Sequence, residues 1–342
     1  MDIELKVKNL KMWFPVKSGI IQRTTGYVKA VDGVSFDIQK GETFGLVGES
    51  GSGKTTAARS ILRLIEPTSG DVIFEDVNVT KAGKSELFQL RHRMQIIFQD
   101  PYASLDPRQT VNSMLTEAMR VHGTVANNAE AHAEALEIMG IVGLSEEHLY
   151  RFPHEFSGGQ RQRIAIARVL AVSPEFIVLD EPTSFLDVSV QAQILNLLKE
   201  CQTKFGLTYL FITHNLAVVH HMSNRVGVMY LGILAEVADK NEIYNDPRHP
   251  YTFHLMAAIP VPDPSVQKEE VLLQGDVPSP TNIPPGCRFH PRCPYMTEKC
   301  TREVPPLFER TKGHLTACHY EIDFQKGARL YEIEYGSSAF KR

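Results

Sequence analysis

The chain has 342 residues, 43% hydrophobic and 22% charged, enough for one large domain with an appendage or for two modest domains around a sizeable core. A formal net charge of −4 argues against a broad basic surface for nucleic acid, and the opening Met1-Asp2-Ile3-Glu4 lacks the basic and apolar segments of a secretory signal. The longest apolar run, Val226 to Ala235, holds two glycines and stops at Glu236, short of the roughly 20 residues that cross a bilayer, so the chain is expected in the cytoplasm and any membrane role must come through a partner.

Residues 3–9 alternate apolar and charged side chains, and Val31 to Ile38 follows a similar pattern, which predicts two half-exposed strands. Thr43 to Val47 is short and apolar with a glycine-rich loop behind it, a buried strand feeding a helix. Residues 112–150 are largely helical and poor in strands, a lobe on the core. Arg161–Ala171 and Val190–Cys201 carry helical periodicity, while Phe176–Leu179 and Thr208–Thr213 read as further buried strands. Strands alternating with helices imply an α/β fold around a mainly parallel sheet. Near residue 260 the composition changes: eleven of the twenty prolines fall between Pro260 and Pro306, which disfavours long helices. Residues 261–342 are therefore expected as a small, irregular, Cys-rich module separate from residues 1–260, and not as a continuation of the sheet.

The loop Gly48, Glu49, Ser50, Gly51, Ser52, Gly53, Lys54 and Thr55 fits the phosphate-binding pattern in its required place, between a strand and a helix. Its glycines let successive backbone N–H groups face phosphate oxygens, and the helix dipole points the same way. Lys54 can reach the β- and γ-phosphates, and Thr55, followed by Thr56, can ligate Mg²⁺. After the apolar strand at Phe176, Asp180 is placed to hold Mg²⁺ and Glu181 to orient or polarise the attacking water. Together these specify a nucleoside-triphosphate hydrolase without saying which one. Ser157, Gly158, Gly159 and Gln160 precede the helix at Arg161, with Ser157 as its N-cap, and form another anion site about a hundred residues after the first. The natural inference is that this second site serves a nucleotide held by another subunit.

In this order the motifs resemble those of the ABC transporter ATPases, over residues 1 to about 260. The resemblance makes Ser157–Gln160 the signature motif and Gln99, in Ile-Ile-Phe-Gln-Asp-Pro, the glutamine that meets the metal and the permease. It makes Ser184-Phe-Leu-Asp187 the loop after the catalytic glutamate, and His214, 33 residues beyond Glu181, the switch histidine. It also implies an aromatic stacked on adenine, Phe14 or its rival Tyr27. Phe185 and Asn215 depart from the usual alanine and aspartate, though neither removes a catalytic group. The fold so implied is an ABC-type P-loop domain with a mainly parallel core, an antiparallel β part and a helical lobe at about residues 100–170. Two such domains would close head to tail on ATP and open after hydrolysis, and the permease would sense this near Gln99 to Leu105.

By spacing alone, Cys287, Cys293, Cys300 and Cys318, separated by five, six and seventeen residues, suit Zn²⁺ and an iron–sulfur cluster about equally. Cys201 reads as a buried or semi-buried helix residue. The segments Asp246-Pro-Arg-His-Pro-Tyr-Thr, Pro278-Ser-Pro and Gly286-Cys-Arg-Phe-His-Pro-Arg-Cys-Pro look like the C-terminal extension of oligopeptide and dipeptide importer ATPases, and Phe98–Leu105 and Pro153–Gln160 look like their F-type subunit. That resemblance implies a structural [4Fe–4S] cluster on the four cysteines. It also implies a paralogous D-type ATPase partner, two permease subunits, an extracytoplasmic substrate-binding protein acting indirectly, no nucleic acid, and a peripheral place on the cytoplasmic face of the cell membrane. Peptide is the expected cargo. A nickel or oligosaccharide importer is the near alternative, and a soluble ABC ATPase of DNA repair or translation a more distant one.

Overall fold

The computed structural model describes residues 2–19, 22–258 and 275–333. They fall into two compact units: Met1–Glu4, Ile38–Glu42 and Lys81–Ile212 in the first, and Leu5–Asp37, Thr43–Thr80 and Thr213–Arg342 in the second. The boundary expected at residue 260 lies outside the described residues, and the two units draw on segments far apart in sequence.

In the first unit, strands Met94–Ile97, Phe176–Asp180 and Thr208–Ile212 run parallel, the second pairing with both others. The latter two are buried along their whole length, which is why they read as unbroken apolar runs. Helix Val188–Phe205 buries Ile194, Leu195, Leu197, Leu198 and Cys201 on one side. The predicted lobe is present as helices Val111–His122 and Asn128–Ile141 followed by a 3₁₀ turn at Glu146–Tyr150. Val111, Met114, Leu115 and Met119 supply its buried stripe. The second lobe helix starts where the Asn127 side chain accepts from the N–H groups of Ala129 and Glu130.

The second unit holds an antiparallel sheet ordered Arg23–Gln39, Ile3–Ser18, Ser69–Phe74 and Val77–Asn78. Its other sheet pairs Thr43–Val47 in parallel with Arg225–Tyr230, and the latter antiparallel with Ile233–Asp239. The apolar run Val226–Ala235 is thus a hairpin, turned at Leu231 and Gly232, both with positive φ (43° and 82°).

The C-terminal residues correct one expectation. His314–Thr316 pairs with Ile233–Asp239, and Phe308–Thr311 pairs with it in turn, so the module does continue a sheet. The proline count hid this hairpin because its strands are only three and four residues long, beginning just after Pro305 and Pro306. At the junction, the fully buried Glu236 carboxylate accepts from the N–H groups of Arg248 and His249 (2.6 and 2.9 Å) and from His314 Nε2 (2.6 Å). A buried charge is tolerable there because several donors surround it.

His249 caps helix Pro250–Ala257, its Nδ1 accepting the Tyr251 N–H at 3.0 Å. Burial pushes the imidazole down to about 4. The unfolded chain takes up a proton near 6.5 that the folded protein refuses until about 4, so stability falls as pH drops through that window. The full difference is about 3 kcal/mol. Urea unfolding at pH 7 and pH 5 should show the wild type losing more than His249→Asn, which keeps a capping acceptor but does not titrate.

Candidate functional site

In the second unit, the buried strand Thr43–Val47 ends at Gly48, and helix Lys54–Ile61 starts at Gly53. The turn between needs positive φ at Gly48 (150°), Gly51 (77°) and Gly53 (104°). Gly53 caps the helix without a side-chain hydrogen bond, leaving N–H groups of the first turn for an anion. Lys54 is only 6% exposed, and its ammonium bonds the loop's own oxygens: Gly48 O at 2.8 Å, Glu49 O at 3.0 Å and Ser52 Oγ at 3.3 Å. Thr55 and Thr56 follow, half-buried on the first turn.

The loop's glycines are not equivalent. A Cβ on Gly53 would lie 2.0 Å from Ala30 O, and one on Gly48 2.1 Å from Met229 O, whereas one on Gly51 meets nothing within 4 Å. Gly51→Ala therefore costs only backbone strain, roughly 1–2 kcal/mol. Gly53→Ala adds a clash with backbone and should cost roughly 3 kcal/mol or more. Thermal melts of the two variants check the difference.

In the first unit, Asp180 closes its strand at 2% exposure, and Glu181 follows in a left-handed conformation (φ 49°). The Glu181 N–H bonds Ile212 O at 2.9 Å, and its carboxylate accepts from Gln99 Nε2 at 3.0 Å. Two residues named separately from sequence thus meet. The strained backbone at Glu181 has no sequence signal, since this conformation normally selects glycine or asparagine. Ser184 folds back onto Glu181 O, Phe185 stands 67% exposed, and Asp187 caps the next helix, accepting from Val190 N and Ser189 Oγ. Those bonds hold the Asp187 carboxyl below its usual range.

Helix Gly158–Leu170 opens with a capping box: Ser157 Oγ accepts from Gln160 N, and Gln160 Oε1 accepts from Ser157 N. Ser157 and Gly158 are exposed, and Arg161 steadies the approach by donating to Pro153 O and His154 O. A Cβ on Gly159 would meet Val190 Cγ1 at 2.5 Å, so glycine is needed there for packing. On the same unit Ser104, Asp106, Gln109, Glu117, His122 and Arg168 line an open groove of about 370 Å³ that sequence reasoning did not find.

His214 sits exposed in the second unit, just before helix Leu216–Met222. Asn215 caps that helix through Val218 N, which accounts for an amide serving where aspartate is usual. Phe14 and Tyr27 are 38% and 50% exposed, and the Tyr27 ring lies 6.2 Å from that of Trp13 in a tilted pair.

Cys287, Cys293, Cys300 and Cys318 line one small cavity in the second unit. Cys287 N bonds Cys300 O at 2.8 Å, and Gly286 has positive φ beside that carbonyl, where a Cβ would lie 2.4 Å away. Burial pushes the Cys318 thiol up to about 12 and Cys293 well above its usual value, with the neighbouring cysteines adding to both. Among the described residues, no group of three or more His, Cys, Asp or Glu is gathered as a metal site. Cys201 is buried in its helix, its thiol pushed up to about 11 by burial.

Residues 31–184 match the ABC transporter family, and residues 235–300 the C-terminal region of the oligopeptide/dipeptide transporters. The chain is 48% identical over 318 residues to the oligopeptide transport ATP-binding protein AppF of Bacillus subtilis (strain 168), covering 92% of this chain and 96% of that protein. It is 49% identical over 317 residues to YkfD of the same organism, a putative oligopeptide transport ATP-binding protein, with 92% and 94% covered. Among solved structures it is similar to the ATP-binding cassette MJ0796, a dimer in a post-hydrolysis state bound to ADP and Pi. The TM-score is 0.61 at 28% identity, covering 69% of this chain and 98% of that one.

Proposed function

The chain belongs to the ABC transporter family, in its oligopeptide/dipeptide branch, and from that membership we propose how its residues do their work. It is the ATP-hydrolysing motor of a peptide importer, dimerising with an ATPase subunit and working with membrane permeases. The observation that carries the reading is the phosphate loop, with Lys54 folded inside it, on a chain whose later residues match the peptide-transporter extension.

In this reading Lys54 and the N–H groups of Gly48–Thr56 take the β- and γ-phosphates. Thr55, Gln99 and Asp180 would hold a magnesium ion, which would supply charge neutralisation on the phosphate oxygens. Glu181 accepts a hydrogen bond from the attacking water and polarises it, while Gln99 keeps that carboxylate oriented. His214 bonds the γ-phosphate, and Phe14 or Tyr27 stacks on adenine. Ser157, Gly158, Gly159 and Gln160 act on the partner's nucleotide, and Asp187 shapes the loop beside them.

The ATPase partner is a paralogous D-type subunit, and the permeases dock at the groove of the first unit, on the cytoplasmic face of the cell membrane. No helix among the described residues is long and apolar enough to cross a membrane. The substrate-binding protein acts through the permeases from outside. In the C-terminal module expected over residues 261–342, Cys287, Cys293, Cys300 and Cys318 would hold a [4Fe–4S] cluster. Support for the cluster is the donor set: four thiols around one cavity suit iron and sulfide, and the group would supply a cross-link between three short segments.

Proteoliposomes with both permeases test the motor role: peptide-loaded binding protein should stimulate ATP hydrolysis only when this chain and its paralogue are both present. Full turnover by this chain alone would remove the heterodimer. Metal analysis after anaerobic purification should find four irons and four sulfides per chain. One Zn²⁺ instead would remove the cluster and leave the ATPase standing.

A further inference from the structure

The phosphate loop works through backbone N–H groups, yet the side chain of its second residue, Glu49, is held by a residue far outside the loop. Its carboxylate takes both arms of the Arg292 guanidinium, at 2.8 and 3.1 Å. The Arg292 side chain is 6% exposed and that of Glu49 26%, so the bidentate pair is largely shielded from water. The Glu49 N–H donates to Tyr251 Oη at 2.9 Å, and its carbonyl accepts Lys54 Nζ at 3.0 Å. Side chain, N–H and carbonyl of one loop residue are thus all fixed, two of them by residues outside the loop.

Arg292 sits on the 3₁₀ turn His290–Arg292, immediately before Cys293 and five residues after Cys287. The turn is tight: His290 N bonds Cys287 O, and Cys293 N bonds His290 O. A second arginine repeats the arrangement. Arg288, next to Cys287, donates to Asp32 and to the carbonyl of Leu231. The adjoining Gly232 N–H donates to Ser52 O of the loop at 2.9 Å. Tyr230, Tyr251 and Phe289 fill the space between, with ring centroids 4.6–5.5 Å apart. Each arginine therefore reaches from a cysteine to the phosphate loop or its support, through a rigid aromatic filling.

We infer that Arg292 is a positioning residue for the nucleotide, holding Glu49 so that the phosphate loop keeps its binding shape, and that the four-cysteine module thereby sets ATP affinity. The module half of this statement rests on the proposed metal group; the Arg292–Glu49 half does not. Linkage is reciprocal, so bound nucleotide also steadies the turn that carries Cys293.

Calorimetric titration with MgADP on the purified full chain tests it, using Arg292→Met, Glu49→Gln and the double variant, with metal content and melting temperature measured alongside. Each single variant should lose roughly tenfold in affinity, the usual scale of such coupling, and the double variant no more than either. Maximal turnover of Arg292→Met at saturating ATP should stay near wild type, which separates positioning from catalysis. In the wild type MgADP should slow iron release to a chelator, and in Arg292→Met it should not. Affinities within twofold of wild type in a folded variant, or losses that simply add, overturn the proposal. Should Arg292→Met fail to fold, Glu49→Gln decides alone. A wild type without iron removes the cluster reading and the module half, while the affinities still judge Arg292.

Discussion

Glu181→Gln should lower the rate of ATP hydrolysis by roughly 10²–10³-fold while ATP stays bound, because a general base typically contributes 10²–10⁴-fold and amide cannot replace it. The loss should be chemical. Glutamine has the same shape, its amide oxygen can still accept the Gln99 side chain, and it meets the left-handed backbone of residue 181 no worse than glutamate does. Single-turnover hydrolysis gives the rate, and size-exclusion with ATP should show the variant trapped as a dimer with its partner. Turnover within a few-fold of wild type would move the base to another residue, and a lowered melting temperature would mean that the strained turn had failed.

Lys54→Ala acts on the other half of the chemistry. The ammonium is buried, and Gly48 O, Glu49 O and Ser52 Oγ of the loop accept from it. Its return comes from phosphate, where charge-assisted bonds are worth up to about 3 kcal/mol, or roughly 10²-fold in affinity. The variant should lose the upward shift in melting temperature that MgATP gives the wild type. A large drop in melting temperature without nucleotide would instead make the lysine a structural pin of its loop.

How far the sequence showed these features depends on what each demands of residue type. Phosphate binding needs glycine, lysine and threonine at fixed steps beside a buried strand, so Gly48–Thr55 was legible with its strand at Thr43–Val47. Strands buried on both faces, as at Phe176–Asp180 and Thr208–Ile212, announce themselves by unbroken apolar runs. Half-buried strands do not. The alternation at residues 3–9 marked only part of Ile3–Ser18, because Trp13, Phe14 and Pro15 break the period. The hairpin around Gly313 was hidden by length, since three or four residues carry too little pattern to outweigh the prolines before them. Contacts such as Glu49 with Arg292 join residues 243 positions apart, and no local spacing encodes such a pairing. Glu236 did leave a trace, as the single charge closing a long apolar run, but its role needed His314 and His249 in view.

The outer hairpin at Phe308–Thr316 changes what the C-terminal residues are to this protein. Strand Ile233–Asp239 is largely apolar and buried almost to its end, and among the described residues that hairpin's pairing covers its outward edge. Shortening the chain ahead of Phe308 would bare a row of backbone donors and acceptors flanked by hydrophobic side chains, the kind of edge on which chains stack. It would also strip His314 from the Glu236 carboxylate. The cysteine-bearing end thus serves as an edge guard as much as an attachment. A trimmed, catalytically minimal form of this motor should be lost to self-association before its ATP chemistry is ever put to use.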